Sequence, residues 1–386
     1  MSERKPSALA AHLVFIAAVT VAAFFVRFYF FPYASADYYQ FLHGWFTELK
    51  ACGGFAAIGR NIGDYMPPYF YLLALLTYIP APDIVLIKML SFAGDIIMAC
   101  FTMRIVQRKG KKFQGELAYA IVLFLPSVVL NSAVWGQCDS IYTAALLACV
   151  YYIMEDRQYA AITAFSIAFV FKLQTVFLAP FILLMLLKHK IQWRSILVFP
   201  VVYVVSILPA ALMGRNFGEL MTVYFRQAHE YTDICMNLPN LAAWFPEQMS
   251  QTAGAVFAIC GILLSLAAVL LLRRLNFQLT DSSIATLALF SVIFVPYFLP
   301  HMHERYFYPA DILSVIFAFY FPAKFYVPII TVFSSTVVVC GFLFSMNLIN
   351  LKLLSIMMLF CLILVGASIV ALARRQKENT EVQPND

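Results

Sequence analysis

"QYAAITAFSIAFVFKLQTVFLAPFILLMLL", residues 158–187, carries a single charge, Lys172. About thirty apolar residues exceed the ~20 that one membrane span needs, yet fall short of two full spans. Arg157 and Lys188 flank the run, and positive residues keep to the cytoplasmic side. Both ends therefore belong on the same side. Two short helices meeting at Lys172 satisfy length and charge together. A lysine left at mid-bilayer would cost roughly 2.5–3.5 kcal/mol, and placing it at the outer tip removes most of that cost.

The rest of the chain extends this pattern. Of 386 residues, 63% are hydrophobic and 12% charged, and the mean hydropathy is +0.83. Soluble domains carry about twice that charge fraction. Repeated apolar runs predict an all-α, polytopic membrane helical bundle, since in lipid only helices and closed barrels satisfy the backbone. The first run, 9–31, is too long for a signal-peptide core and is expected to stay as a span. The net charge of +6 comes from basic loops and does not indicate nucleic-acid binding. These loops are Arg4-Lys5, Arg108 to Lys112, Arg157, Lys188 to Arg194, Arg273-Arg274, Lys324 and Arg374 to Lys377. Placing all of them inside gives about twelve spans in the plasma membrane, with both termini cytoplasmic. Further spans are expected at 84–106, 117–134, 140–154, 195–213, 254–272, 284–299, 306–322, 325–346 and 351–373.

Residues 32–83 then form a first external loop. Its "DYMPPYFYLLALLTYIPAPD" (64–83) is too short to cross and reads as an interfacial helix. A second external loop, 214–250, holds Arg226, His229, Glu230, Asp233 and Trp244. The chain divides into 1–190, 191–373 and a polar tail, 374–386, expected to be disordered and cytoplasmic. Of eight cysteines, Cys138 and Cys235 fall in external loops, and a disulfide between them is one reading.

With this topology, polar residues far apart in sequence reach one level, the outer surface. They are Asp37, Asp64, Asp139, Lys172 with Gln174 beside it, and His301, His303, Glu304 and Arg305 of "HMHERYFYP". Each also has a plainer reading. Asp37 could be an exposed loop acid, Asp64 a turn residue, Asp139 an N-cap and Lys172 a snorkelling side chain. The last four could be a solvated loop. His-x-His followed by Glu also suits a metal, but no further ligand set accompanies it, so neither metal nor other cofactor is assigned. Asp95, inside a span, calls for a buried partner.

Acids and cations gathered at an outer leaflet suit sugar transfer from a lipid phosphate. A carboxylate takes the proton of the acceptor hydroxyl. Cationic donors stabilise the departing phosphate, and losing one such donor costs about 3 kcal/mol. An apolar groove would take the prenyl tail.

The early Asp37, "DYMPPYFYLLAL", "WGQCDS" (135–140), "FKLQ" (171–174) in a split helix pair and "HMHERYFYP" together resemble the GT-C superfamily of polytopic glycosyltransferases. The likeness is closest to bacterial mannosyltransferase-like proteins related to the GPI mannosyltransferases, and it covers nearly the whole chain. It implies a GT-C module at 1–190 and a variable half at 191–373. It also implies an inverting enzyme using a polyprenyl-phosphate-linked sugar, mannose by the likeness. By the same resemblance Asp37 is the base and Asp139 the acid that places the acceptor, with Asp64 assisting. Lys172, His303 and Arg305 would hold the donor phosphate. Glycan, lipid and protein remain open as acceptors, and membrane lipid is the surrounding partner. The rival readings are a flippase for a lipid-linked sugar and a polysaccharide polymerase or ligase.

Overall fold

A computed structural model describes residues 6–111, 113–227, 233–246, 249–346 and 348–381. His229 and Glu230 lie outside the described residues. Helix α1 spans Pro6–Phe30. The first loop then folds into a π-helical turn, Tyr38–Leu42, and helices α2 (His43–Ala51) and α3 (Pro67–Leu76). Pro67 and Pro68 start α3 where missing backbone donors cost nothing. At ten residues α3 is about 15 Å long, too short to cross. Helix α4 is Asp83–Gln107. Helix α5 (Gln114–Phe124) bends by 52° at Pro126 into α6 (Pro126–Val129) and a π-helical turn to Trp135.

Helices α7 (Asp139–Met154) and α8 (Gln158–Phe171) follow, then a 3₁₀ turn, Leu173–Leu178, and α9 (Ala179–Leu187). Next come α10 (Val198–Leu212), α11 (Phe217–Met221), α12 (Val223–Gln227), α13 (Gln251–Arg274) and α14 (Asp281–Phe298). The chain ends with α15 (Tyr308–Tyr320), α16 (Tyr326–Phe344) and α17 (Leu351–Glu381). Two short strands, β1 (Cys235–Met236) and β2 (Met302–His303), pair in parallel.

Run 158–187 is a helical hairpin. Lys190 pairs with Asp156, and the Gln192 N–H donates to Gln158 Oε1 at 2.7 Å, so the two flanks meet. Lys172 stands at the opposite tip. Among the described residues, basic side chains from other loops gather at the end where those flanks meet. There Arg108 bridges Glu155 and Asp281, and Lys109 and Lys188 donate to the carbonyls of Phe319 and Leu275. Cations suit these helix ends, where carbonyls lack intrahelical partners.

About twelve spans were expected. Among the described residues, seven helices are long and apolar enough to cross a membrane, or eight counting the bent α5–α6 segment as one. Five further apolar helices have only 10–17 residues. Of these, α7 is sheathed by α4, α8, α14 and α15, so protein rather than bilayer thickness surrounds it. By contrast α13 exposes Ile259, Leu263 and Leu270, surface suited to lipid rather than water. The coarse result is an all-helical, multi-pass membrane architecture.

Two other expectations change. Cys138 is not joined to Cys235 by a disulfide; Cys138 packs into the core under the first loop. The last helix continues to Glu381, through most of the tail expected to be disordered, because extending a formed helix costs far less than nucleating one.

Inside the bundle, Asp95 finds its partner in Arg27. The Arg27 Nε donates to Asp95 Oδ2 at 2.9 Å, Nη2 approaches it at 2.8 Å, and both residues are fully buried. Arg27 also donates to the Leu123 carbonyl at 2.9 Å, tying α1 to α4 and α5.

Candidate functional site

The end of the bundle opposite the basic loops holds the candidate residues. Asp37 is positioned by two anchors. Lys88, buried in α4, donates to the carbonyls of Phe30, Phe31 and Tyr33 at 3.0, 3.2 and 2.5 Å. Phe30 is the last residue of α1 and Phe31 and Tyr33 follow it, so the ammonium fixes the chain where it leaves the helix. Ser35 Oγ donates to the Trp135 carbonyl at 3.2 Å, pinning the loop to the turn before α7. Asp37 Oδ2 then accepts from Trp135 Nε1 at 2.8 Å and Gln137 Nε2 at 3.1 Å. Both donors belong to "WGQCD". Gly136 adopts φ 78°, a left-handed conformation that glycine takes without strain, and this lets the chain turn between Trp135 and Asp139.

Asp139 opens α7 but does not cap it. Its Oδ1 accepts from Lys172 Nζ at 2.5 Å and its Oδ2 from Asn131 Nδ2 at 2.7 Å. Lys172 has extended backbone (φ −150°, ψ 136°) where α8 stops, which aims its side chain into the bundle. It does not snorkel: it is 5% exposed, with its ammonium 5.5 Å from the centre of the Tyr65 ring. The first turn of α7 sits close against α4 because residue 94 is glycine. A Cβ there would lie 2.5 Å from Ser140 Oγ.

Arg305 joins the two carboxylates. Its Nη1 is 3.7 Å from Asp37 Oδ2 and its Nε 3.8 Å from Asp139 Oδ2, with the guanidinium carbon 4.8 Å over the Trp135 ring. Burial opposes the Arg305 charge, but Asp139 beside it more than compensates, so its pKa is raised. Four sequence-predicted residues, Asp37, Asp139, Lys172 and Arg305, thus form one network.

A cavity of about 440 Å³ opens beside it. Asp64, Lys172, Gln174, His301, His303 and Arg305 line its polar part. Phe171, Val176, Phe177, Ala258, Ile262 and Leu299 line its apolar part, which runs between the hairpin tip and α13. A neighbouring groove shares Asp64 and Gln227 with it and adds Arg226. Asp64 does not cap α3, whose N-cap is Met66. Burial raises the Asp64 pKa, against the pull of Lys172 and Arg305.

The "HMHER" loop divides its tasks. His301 takes φ 60°, held by bonds from its backbone N–H to the Ile234 carbonyl and between its Nδ1 and the Asp233 carbonyl, both 2.8 Å. Burial, with Arg305 and Lys172 nearby, pushes His303 down to about 3. Its imidazole is therefore neutral near pH 7 and offers a hydrogen bond rather than a charge. Glu304 does not line the cavity; it is 2% exposed, and burial pushes its pKa up to about 7.

Sequence reasoning assigned no role to Lys88 or Asn131, and Trp135 and Gln137 entered it only within the motif "WGQCDS". The usable signal for Lys88 was a lone cation one turn inside an apolar run. Among the described residues, no cluster of three His, Cys, Asp or Glu side chains could hold a metal ion. No family model matches the chain, and no curated protein matches it.

Proposed function

We propose that the chain is an inverting glycosyltransferase of the GT-C type, with about twelve spans, cytoplasmic termini and a site facing outward. It would move a hexose, mannose by resemblance, from a polyprenyl phosphate to an acceptor hydroxyl. The observation that carries this reading is the interlocked set Asp37–Arg305–Asp139–Lys172 beside a cavity polar at one end and apolar at the other. A sugar phosphate on a prenyl chain has the same division. Its phosphate would face Lys172, Arg305 and neutral His303, and its tail would leave between the hairpin tip and α13.

Asp37 is the base. Trp135 and Gln137 both bind its Oδ2, which leaves Oδ1 for the acceptor hydroxyl. The hydroxyl oxygen bonds to the anomeric carbon as its proton passes to Asp37. The anomeric C–O bond to phosphate breaks with its electron pair on the phosphate oxygen, where the two cations stabilise it. Both Asp139 oxygens are engaged, so its task is to hold those cations in place rather than to touch the acceptor.

Purified protein in lipid nanodiscs, given radiolabelled polyprenyl-phosphate mannose and no ion gradient, tests the class. Release of polyprenyl phosphate supports a transferase. A donor that stays intact while crossing sealed vesicles supports the flippase instead.

A further inference from the structure

A second cavity, of about 670 Å³, opens at the same end of the bundle, and nothing above uses it. It lies on the other side of one wall of the first, the β1–β2 pair: Asn237, just after β1, bridges His303, and each faces a different cavity. Trp135 lines neither cavity but lies just behind the second. Phe342, which lines the second cavity, stacks on the Trp135 ring at 4.8 Å and 27°. Trp135 in turn holds Asp37 through its N–H and lies under Arg305. Whatever occupies this cavity therefore meets Phe342, the ring packed on the one that fixes the carboxylate.

The lining states the ligand's chemistry. Asn237, Asn350 and Lys352 provide amide and ammonium donors, and Phe245 and Phe342 provide ring surface. Asn350 Oδ1 already accepts from the Lys352 N–H at 2.9 Å, which leaves its amide hydrogens to donate. The Lys352 ammonium sits 5.5 Å from the centre of the Trp244 ring, a contact that partly satisfies its charge. Among the described residues this lining holds no carboxylate, and one ring-paired lysine is not a phosphate clamp. Hydroxyl-rich ligands with apolar C–H faces, that is saccharides, match spaced donors combined with aromatic rings. The volume lies within the ~300–1,000 Å³ usual for small-ligand sites.

We infer that this cavity is a saccharide site that receives the acceptor, an assignment resting on the transferase reading above. Saturation-transfer NMR on the full chain in nanodiscs tests it, with methyl glucoside, mannoside, galactoside and N-acetylglucosaminide as probes. Wild type is expected to transfer saturation to at least one of them. Asn237→Ala and Lys352→Met are expected to bind that probe about tenfold more weakly, the effect of losing one good hydrogen bond. An unchanged unfolding midpoint shows that each variant is folded, and Lys352→Met retains most of the side-chain stem should Asn237→Ala fail. No transfer to any probe in wild type, or equal transfer in wild type and both variants, overturns the site. Saccharide binding lost in the variants alongside a wild type that releases no polyprenyl phosphate keeps the site and overturns the transferase.

Discussion

Lys172 Nζ lies 2.5 Å from Asp139 Oδ1, although 33 residues separate them and both are almost wholly buried. Removing one member of a buried pair leaves the other uncompensated, typically at 3–5 kcal/mol, whereas removing both costs much less. Lys172→Met and Asp139→Asn are each expected to lower the thermal midpoint more than the double variant does. Unfolding in detergent across the full mutant cycle checks this. Single effects that simply add would show that the two groups are not coupled.

Trp135→Phe isolates one hydrogen bond. The ring remains between Arg305 and Phe342, but Asp37 Oδ2 loses its 2.8 Å donor. Hydrogen bonds to charged groups contribute about 1.5–3 kcal/mol, so kcat should fall roughly tenfold to a hundredfold. The donor KM should hold steady, because Trp135 does not line the donor cavity. A change confined to KM would contradict Trp135 as the positioning residue for the base.

Glu304 gives a pH test. Its pKa rises in the folded chain from an ordinary 4.5 to about 7, through burial. Between those values the folded state binds the proton and the unfolded state does not. Stability is therefore highest below pH 4.5 and declines as pH rises to about 7, by roughly 3 kcal/mol in all. Glu304→Gln should flatten this slope between pH 5 and 7 in thermal unfolding. A slope that survives the substitution would place its origin elsewhere.

The sequence made the hairpin at 158–187 legible because charge in apolar surroundings is costly and must lie where the cost is small. The same logic brought Asp37, Asp139 and Arg305 to one end. It did not reveal which groups touch. The Arg27–Asp95 pair, the capping of α1 by Lys88 and the pairing of 235–236 with 302–303 depend on tertiary packing across long stretches of chain. Nor did it give helix lengths, because a helix wrapped in other helices, such as α7, need not match a bilayer. The neutral state of His303 was also hidden, since its cause is burial, reinforced by Arg305 and Lys172 nearby.

Asp37→Asn tests the central claim most directly. The amide keeps the size of the side chain and can still accept from Trp135 and Gln137, but it cannot take the acceptor's proton. With radiolabelled polyprenyl-phosphate mannose and a saccharide acceptor, wild type should transfer the hexose. Asp37→Asn should bind the donor equally well and transfer at least about a hundredfold more slowly, the low end of general-base contributions. Near-normal turnover by Asp37→Asn would contradict Asp37 as the base and, with it, the reading of this polar cluster as a sugar-transfer site.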